Sequence, residues 1–106
     1  MKRMLALLAV LVLLGAVAVP ALARTRSVTV KNFKFTPRSL TVSKGTTVRW
    51  SFRDSTAHNV KVTKGPAKFH SRNIKRGTYS KKLTRRGTYR IICTLHPFMH
   101  ETVRVK

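Results

Sequence analysis

Residues 87–99 read GTYRIICTLHPFM, and this stretch decides both the fold and the chemistry of the chain. Its first half places apolar side chains at alternate positions, which is typical of a half-buried β-strand. Its second half carries a thiol, an imidazole and a thioether three residues apart, at Cys93, His96 and Met99, and Cys93 is the only cysteine. Soft sulfur and imidazole donors suit copper or zinc rather than magnesium or calcium. The sequence therefore predicts a transition-metal site at the end of this strand.

A second histidine outside this stretch would complete a set of metal ligands. The best candidate is His58, which follows a predicted loop at residues 54–57 and begins another alternating run. Two histidines, one cysteine and a weak axial methionine are the ligands of a blue-copper electron-transfer centre. Loops at one end of a β-sandwich can aim such side chains at a single point. Zinc could occupy the same donors, and it would give no redox function.

The order of these motifs along the chain resembles that of the small cupredoxins of the plastocyanin and amicyanin type. The resemblance covers most of residues 28–105 and includes these further segments: Phe35-Thr36-Pro37, residues 40–50, His58-Asn59-Val60 and Gly87-Thr88-Tyr89. It implies one copper ion per chain, held by the metal ligands His58, Cys93, His96 and Met99. It also implies that Asn59 braces the two ligand loops through hydrogen bonds. The chain departs from the family pattern at Leu95, where relatives usually carry proline.

The resemblance implies a type 1 (blue) copper protein that shuttles single electrons between redox partners and is not an enzyme. It also implies that the apolar residues around His96, at positions 95, 97 and 98, form a docking patch for a partner. Two alternatives stay open. One is a copper-binding carrier or scavenger without a redox role. The other is a basic secreted module that binds anionic polymer, with the metal site incidental.

The chain is strongly basic. It has 23 lysines and arginines but only two acidic residues, Asp54 and Glu101, and the formal net charge is +21. Without Lys2 and Arg3, 21 basic residues remain against the same two acids, a formal charge of +19. Such a field attracts anionic partners. We expect an anionic redox protein as partner, with an anionic membrane or cell-envelope surface as the alternative. Nucleic acid is disfavoured, because the chain has an export signal and no recognition helix.

Residues 1–23 have the pattern of a secretory signal peptide. Lys2 and Arg3 give a positive start, an apolar run follows, and the small residues at 21–23 form a cleavage site. Cleavage would leave one domain, residues 24–106, as an exported monomer in the periplasm, the cell envelope or the medium. A retained anchor is the alternative, because residues 4–23 carry no charge and are about long enough to span a bilayer as a helix. The lone cysteine of an exported domain is most simply a ligand.

Residues 24–106 show strand signals and almost no helix signals. A change of parity near Lys31 predicts a bulge or bend in the first strand. We expect an irregular connection with a short edge strand over residues 67–77, a weak strand over 78–83 and a final strand over 102–106. About seven short strands at this spacing predict an all-β fold. The predicted architecture is a small Greek-key two-sheet β-sandwich of cupredoxin-like type, preceded by an N-terminal signal helix.

Overall fold

The structure is a computed structural model that describes residues 24–106, and this part of the chain is all-β. It contains eight strands: β1 (Thr25–Lys31), β2 (Lys34–Thr36), β3 (Ser39–Val42), β4 (Thr46–His58), β5 (Lys61–Lys64), β6 (Ile74–Leu83), β7 (Gly87–Cys93) and β8 (His96–Val105). They form two four-stranded sheets, ordered β2-β1-β4-β6 and β3-β8-β7-β5. The predicted all-β, two-sheet architecture is confirmed. The predicted signal helix falls on residues 1–23, outside the described residues.

The core lies between the two sheets and follows from strand alternation. On β4, Val48, Trp50 and Phe52 are buried, whereas Arg49 and Arg53 are exposed on the opposite face. The same alternation on the other strands places valine, leucine and isoleucine side chains in one apolar cluster. This burial of one face of each sheet stabilises the sandwich. Within the described part of the chain, no helix has the length and apolar character needed to cross a bilayer.

One carboxyl group lies inside this core. Glu101 on β8 is buried, and its Oε1 accepts a hydrogen bond of 2.8 Å from the indole Nε1–H of Trp50 on β4. Because β4 and β8 belong to different sheets, this bond links the two sheets through the core. The second oxygen, Oε2, has no hydrogen-bond partner among the described residues. Burial raises the pKa of Glu101 to about 8, against the opposing effect of the Trp50 bond.

The change of parity near Lys31 is caused by a tight hairpin rather than by a bulge within one strand. Strands β1 and β2 pair antiparallel, with Lys31 opposite Lys34, and only Asn32 and Phe33 connect them. Both residues have positive φ, 52° and 59°. A two-residue turn of type I′, which matches the right-handed twist of the two strands that it joins, requires a positive φ at both of its residues. Asparagine tolerates this conformation well, but a bulky aromatic residue rarely adopts it.

Strand β6 is longer than the sequence predicts. It begins at Ile74 and pairs with β4 at Arg53↔Arg76 and His58↔Ile74. Residues 74–77 are therefore strand rather than irregular connection. The main-chain pairing with β4 decides this, because β6 is an edge strand whose largely exposed side chains show no alternation. Between those two pairs, residues 54–57 of β4 lie opposite Lys75 alone, so the predicted loop at 54–57 is a bulge inside β4.

Candidate metal centre

The turn that joins β7 to β8 brings the first two donor residues together. Cys93 ends β7 and His96 begins β8, and the two residues pair across a two-residue turn. The sequence predicted a longer loop here, with a final strand from residue 102, and that boundary is wrong. The pairing Ile92↔His100 is followed by Cys93↔His96, which leaves residues 97–99 of β8 as a bulge. Because a bulge changes the parity of a strand, His96 and Met99 need not face opposite sides despite their odd spacing.

His58 reaches the same point from the other sheet. It is the last residue of β4, directly after the bulge at residues 54–57. Its Nδ1 lies 3.2 Å from Nδ1 of His96, and Sγ of Cys93 lies 3.7 Å from that same nitrogen of His96. The donor atoms of His58, Cys93 and His96 all lie within 4.8 Å of one another. One sulfur and two imidazole nitrogens that converge in this way fit a single copper or zinc ion.

The four predicted ligands differ in exposure. His58, Cys93 and Met99 are buried, and His96 is partly exposed. His96 is therefore the donor nearest the surface. Met99 lies on the same strand as His96, inside the core cluster that also contains Cys93. Its role as the axial ligand stays a prediction.

Asn59 ties the two ligand segments to each other. Its Nδ2–H donates to Oγ1 of Thr94 at 2.7 Å, and its Oδ1 accepts from the backbone N–H of Thr94 at 2.9 Å. A third bond runs from Nδ2 to Oδ1 of Asn73 at 2.9 Å. Asn59 follows His58, and Thr94 follows Cys93, so these bonds fix the end of β4 against the β7–β8 turn. The predicted bracing role of Asn59 is confirmed.

Asp54 was not singled out by the sequence analysis as part of the site, yet its carboxylate contacts a predicted ligand. Oδ2 of Asp54 lies 2.9 Å from Nε2 of His58. The contact with His58, followed by the hydrogen bond from the backbone N–H of Asn32, holds the pKa of Asp54 well below its usual range. An ionised carboxylate can only accept hydrogen bonds, so Nε2 of His58 is the donor. The sequence offered one signal for this contact: Asp54 is one of only two acidic residues in a basic chain, and it lies four residues before His58.

Phe33 was also missed, although it covers both histidines. Its ring meets the ring of His96 edge-on at 4.7 Å between centroids and that of His58 at 5.7 Å. Phe33 is 44% exposed, and the other exposed large apolar side chains of residues 24–106 are Leu95 at 45% and Phe98 at 67%. We call these three side chains the apolar rim. The ring of Phe33, from the β1–β2 hairpin, thus extends the predicted patch at positions 95, 97 and 98.

The remaining histidines lie away from the centre. His70 and His100 are exposed, and neither belongs to the cluster of converging donors. His100 adjoins Met99, but its side chain is exposed whereas that of Met99 is buried. Both histidines are surface residues.

Comparison with known proteins places the chain among copper proteins. Residues 23–106 match a family model described as copper binding proteins of the plastocyanin/azurin family. Amicyanin-alpha of Methylorubrum extorquens is 34% identical over 88 residues, which cover 79% of this chain and 74% of that protein. A reduced tyrosine-for-tryptophan variant of amicyanin has a TM-score of 0.71 and 33% identity, over 86% of this chain and 89% of that one.

A copper-containing nitrite reductase from Thermus scotoductus SA-01 matches one part of its own chain. The TM-score is 0.69 at 29% identity, and the match covers 84% of this chain but 23% of the reductase. The fold described here therefore also occurs as one unit within a larger copper protein.

Proposed function

The chain belongs to the plastocyanin/azurin family of copper-binding proteins, and we propose that His58, Cys93, His96 and Met99 hold its copper ion. The protein is a blue copper electron carrier with one copper per chain, and it is not an enzyme. The observation that supports the ligand assignment is the convergence of three donor atoms within 4.8 Å of one another.

Each donor would have a distinct part in holding the ion. Cys93 would bind as a thiolate, the imidazoles of His58 and His96 would be the other strong ligands, and the thioether of Met99 would be the weak ligand. Copper, when bound, supplies one-electron redox chemistry. The chain supplies rigidity, because Asn59 and the paired ends of β4, β7 and β8 hold the donors in place. Donors that barely move between the two oxidation states keep the reorganisation cost of electron transfer small. The burial of Cys93 also keeps the thiolate away from other thiols and from water.

Electrons enter and leave through the edge of His96. It is the one partly exposed donor of the four, and the apolar rim of Phe33, Leu95 and Phe98 surrounds it. A redox partner docks on this rim, where apolar side chains can exclude water from the contact. The partly exposed His96 ring would then lie between the buried donors and the partner.

The partner is anionic, and the protein acts outside the cytoplasm. Among residues 24–106, the one ion pair joins Asp54 to His58, so none of the lysines and arginines is neutralised by an acidic side chain. Those unpaired cations steer an acidic redox protein toward this chain. Residues 1–23 are the export signal and 24–106 the working domain, which is periplasmic, bound to the cell envelope or secreted. An anionic membrane or cell-envelope surface is the alternative partner.

Addition of Cu(II) to the purified protein tests this function. We expect an intense blue absorption band, a small copper hyperfine splitting in the spin-resonance spectrum, and rapid, reversible reduction. Weak colour with freely exchangeable Cu(I) would instead identify a carrier or scavenger of copper. Binding of an acidic polymer that survives loss of the metal, with no redox activity, would identify a basic binding module.

A further inference from the structure

The carboxylate of Asp54 is fixed at the back of the metal centre by several backbone donors. Its Oδ1 accepts from the backbone N–H of Ser55 at 2.8 Å and of Thr56 at 3.3 Å. Its Oδ2 accepts from the backbone N–H of Asn32 at 2.9 Å, across the β1–β2 hairpin. The Asp54 side chain is only 14% exposed. The bulge at residues 54–57 therefore holds this carboxylate in one orientation.

The same carboxylate determines which nitrogen of His58 is available to a metal. Oδ2 lies 2.9 Å from Nε2 of His58, on the side of the ring away from the other donors. When Nε2–H donates to Asp54, the neutral imidazole carries its lone pair on Nδ1. Nδ1 is the nitrogen that lies 3.2 Å from Nδ1 of His96. The edge-on contact with Phe33 further restrains the ring of His58.

The charge of Asp54 also acts on the metal. A carboxylate that accepts the second N–H of a ligating histidine orients the ring and makes the ligand more basic. A negative charge one imidazole away from the ion stabilises the more positive oxidation state. The other carboxyl group of the described chain, Glu101, is bonded to Trp50 and contacts no histidine. Asp54 is thus placed alone for this effect among residues 24–106.

We propose that Asp54 is a positioning residue for the metal centre, which fixes His58 with Nδ1 toward Cys93 and His96 and lowers the reduction potential of the bound ion. This inference rests on the proposed copper-binding function of the site. Asp54 itself does not bind the ion.

Two substitutions separate the charge of Asp54 from its shape. Asp54→Asn keeps the size and one acceptor oxygen but removes the charge, and Asp54→Ala removes both. We expect each variant, loaded with copper, to raise the Cu(I):Cu(II) ratio at a fixed applied potential about tenfold, a shift of about 59 mV for one electron. Glu101→Gln is the control for replacement of a carboxyl group by an amide elsewhere in the fold, and its ratio should stay within about twofold of wild type. Unchanged ratios in both Asp54 variants would overturn the effect on potential.

The tautomer of His58 gives a readout without any metal. In the metal-free wild-type protein, at a pH where the ¹⁵N shifts show His58 to be neutral, ¹⁵N NMR should show its proton on Nε2 alone. In Asp54→Ala the two tautomers should mix, whereas Glu101→Gln should resemble wild type. A proton on Nδ1 of His58 in the wild-type protein would refute the proposal even if the variants did not fold. If wild type failed to give a blue centre with Cu(II), the proposed function would fall, while the tautomer measurement would still test Asp54.

Discussion

The metal end of the molecule and the outward faces of its two sheets contribute to function in different ways. The metal end, which holds the four proposed ligands and the apolar rim, has buried donors, close polar contacts and the single ion pair of the described residues. The outward faces of the two sheets carry exposed arginine and lysine, such as Arg49, Arg76 and Arg104, with no acidic partner in the described part of the chain. The first region depends on ångström-scale placement, and the second only on the sum of its charges. Changes in each should therefore have different consequences.

Removal of the sulfur donor should have the largest effect. Cys93→Ser should abolish the blue colour completely, because the thiolate is the ligand that defines a blue-copper site. The visible and spin-resonance spectra of the variant with added Cu(II) measure this. His100→Ala and His70→Ala, which remove exposed histidines outside the cluster, should keep the full spectrum. A blue Cys93→Ser variant, or colour lost in either control, would place the centre elsewhere.

Screening of the outward faces should have the next largest effect. Raising the salt concentration from about 10 mM to about 500 mM should slow association with an acidic redox protein by one to two orders of magnitude, because steering by unpaired charges is screened. Stopped-flow kinetics at several salt concentrations measure the slope. The spectrum of the copper centre should not change over this range. A rate that is independent of salt would mean that the basic faces do not guide the partner.

A charge on the apolar rim should have a smaller and more local effect. Phe98→Glu should slow electron exchange with an acidic redox protein about tenfold, which corresponds to about 1.4 kcal/mol in the barrier. The reason is that Phe98 is exposed beside His96, where a partner would have to desolvate the new carboxylate. The absorption spectrum should stay intact.

Ser80→Glu supplies the matched control for the rim. It adds the same charge to an exposed position of β6, opposite Arg49 on the outer face of the other region. Equal slowing by both variants would show that net charge, rather than the rim, controls the exchange.

The three converging donor residues of the metal end, His58, Cys93 and His96, could be predicted from the sequence. The backbone geometry that brings them together could not. The donor types and their spacing indicated Cys93, His96 and Met99, and the strand that follows His58 marked that histidine as the partner. The two bulges, at residues 54–57 and 97–99, were both interpreted as loops. A bulge has no period of its own, because it depends on the register of two strands that are distant in sequence. Asp54 was missed for the same reason, since its contact with His58 exists only because of the bulge.

The outer parts of the fold show a second limit. Strand β6 is an edge strand whose side chains are largely exposed, and many of them are basic. Its pairing with β4 therefore cannot be predicted from the pattern of its apolar residues. Phe33 and Phe35 lie at alternate positions, which is typical of aromatic residues in strands. The place of Phe33 in a two-residue hairpin is decided by the register Val30↔Phe35. Strand β7 was predicted well, because burial of one face imposes the alternation of apolar side chains.

The carboxyl group of Glu101, buried in the core between the two regions, should make the stability of the protein depend on pH. The pKa of Glu101 is raised from the usual 4.5 to about 8 by burial. Between these two values the folded state binds more protons than the unfolded state, so the free energy of unfolding must fall as pH rises through this window. Glu101→Gln keeps the shape and an acceptor for the Trp50 N–H but cannot ionise. The free energy of unfolding of Glu101→Gln should be close to that of wild type below pH 4.5. It should exceed that of wild type by roughly a few kcal/mol at pH 8.

Denaturant unfolding of the metal-free proteins at pH 5 and pH 8 measures this difference. All other titratable groups are common to both proteins, so their contributions cancel in the comparison. Trp50→Phe offers a contrasting case, because it removes the hydrogen bond to Oε1 of Glu101. Oε2 already lacks a partner among the described residues, so neither oxygen would then accept a hydrogen bond from them. That variant should lose more stability at pH 8 than at pH 5, since the ionised carboxylate depends more on a donor than the neutral acid does. If wild type and Glu101→Gln kept a constant difference across this range, Glu101 would have to reach water, and the two sheets could not be packed around it as described.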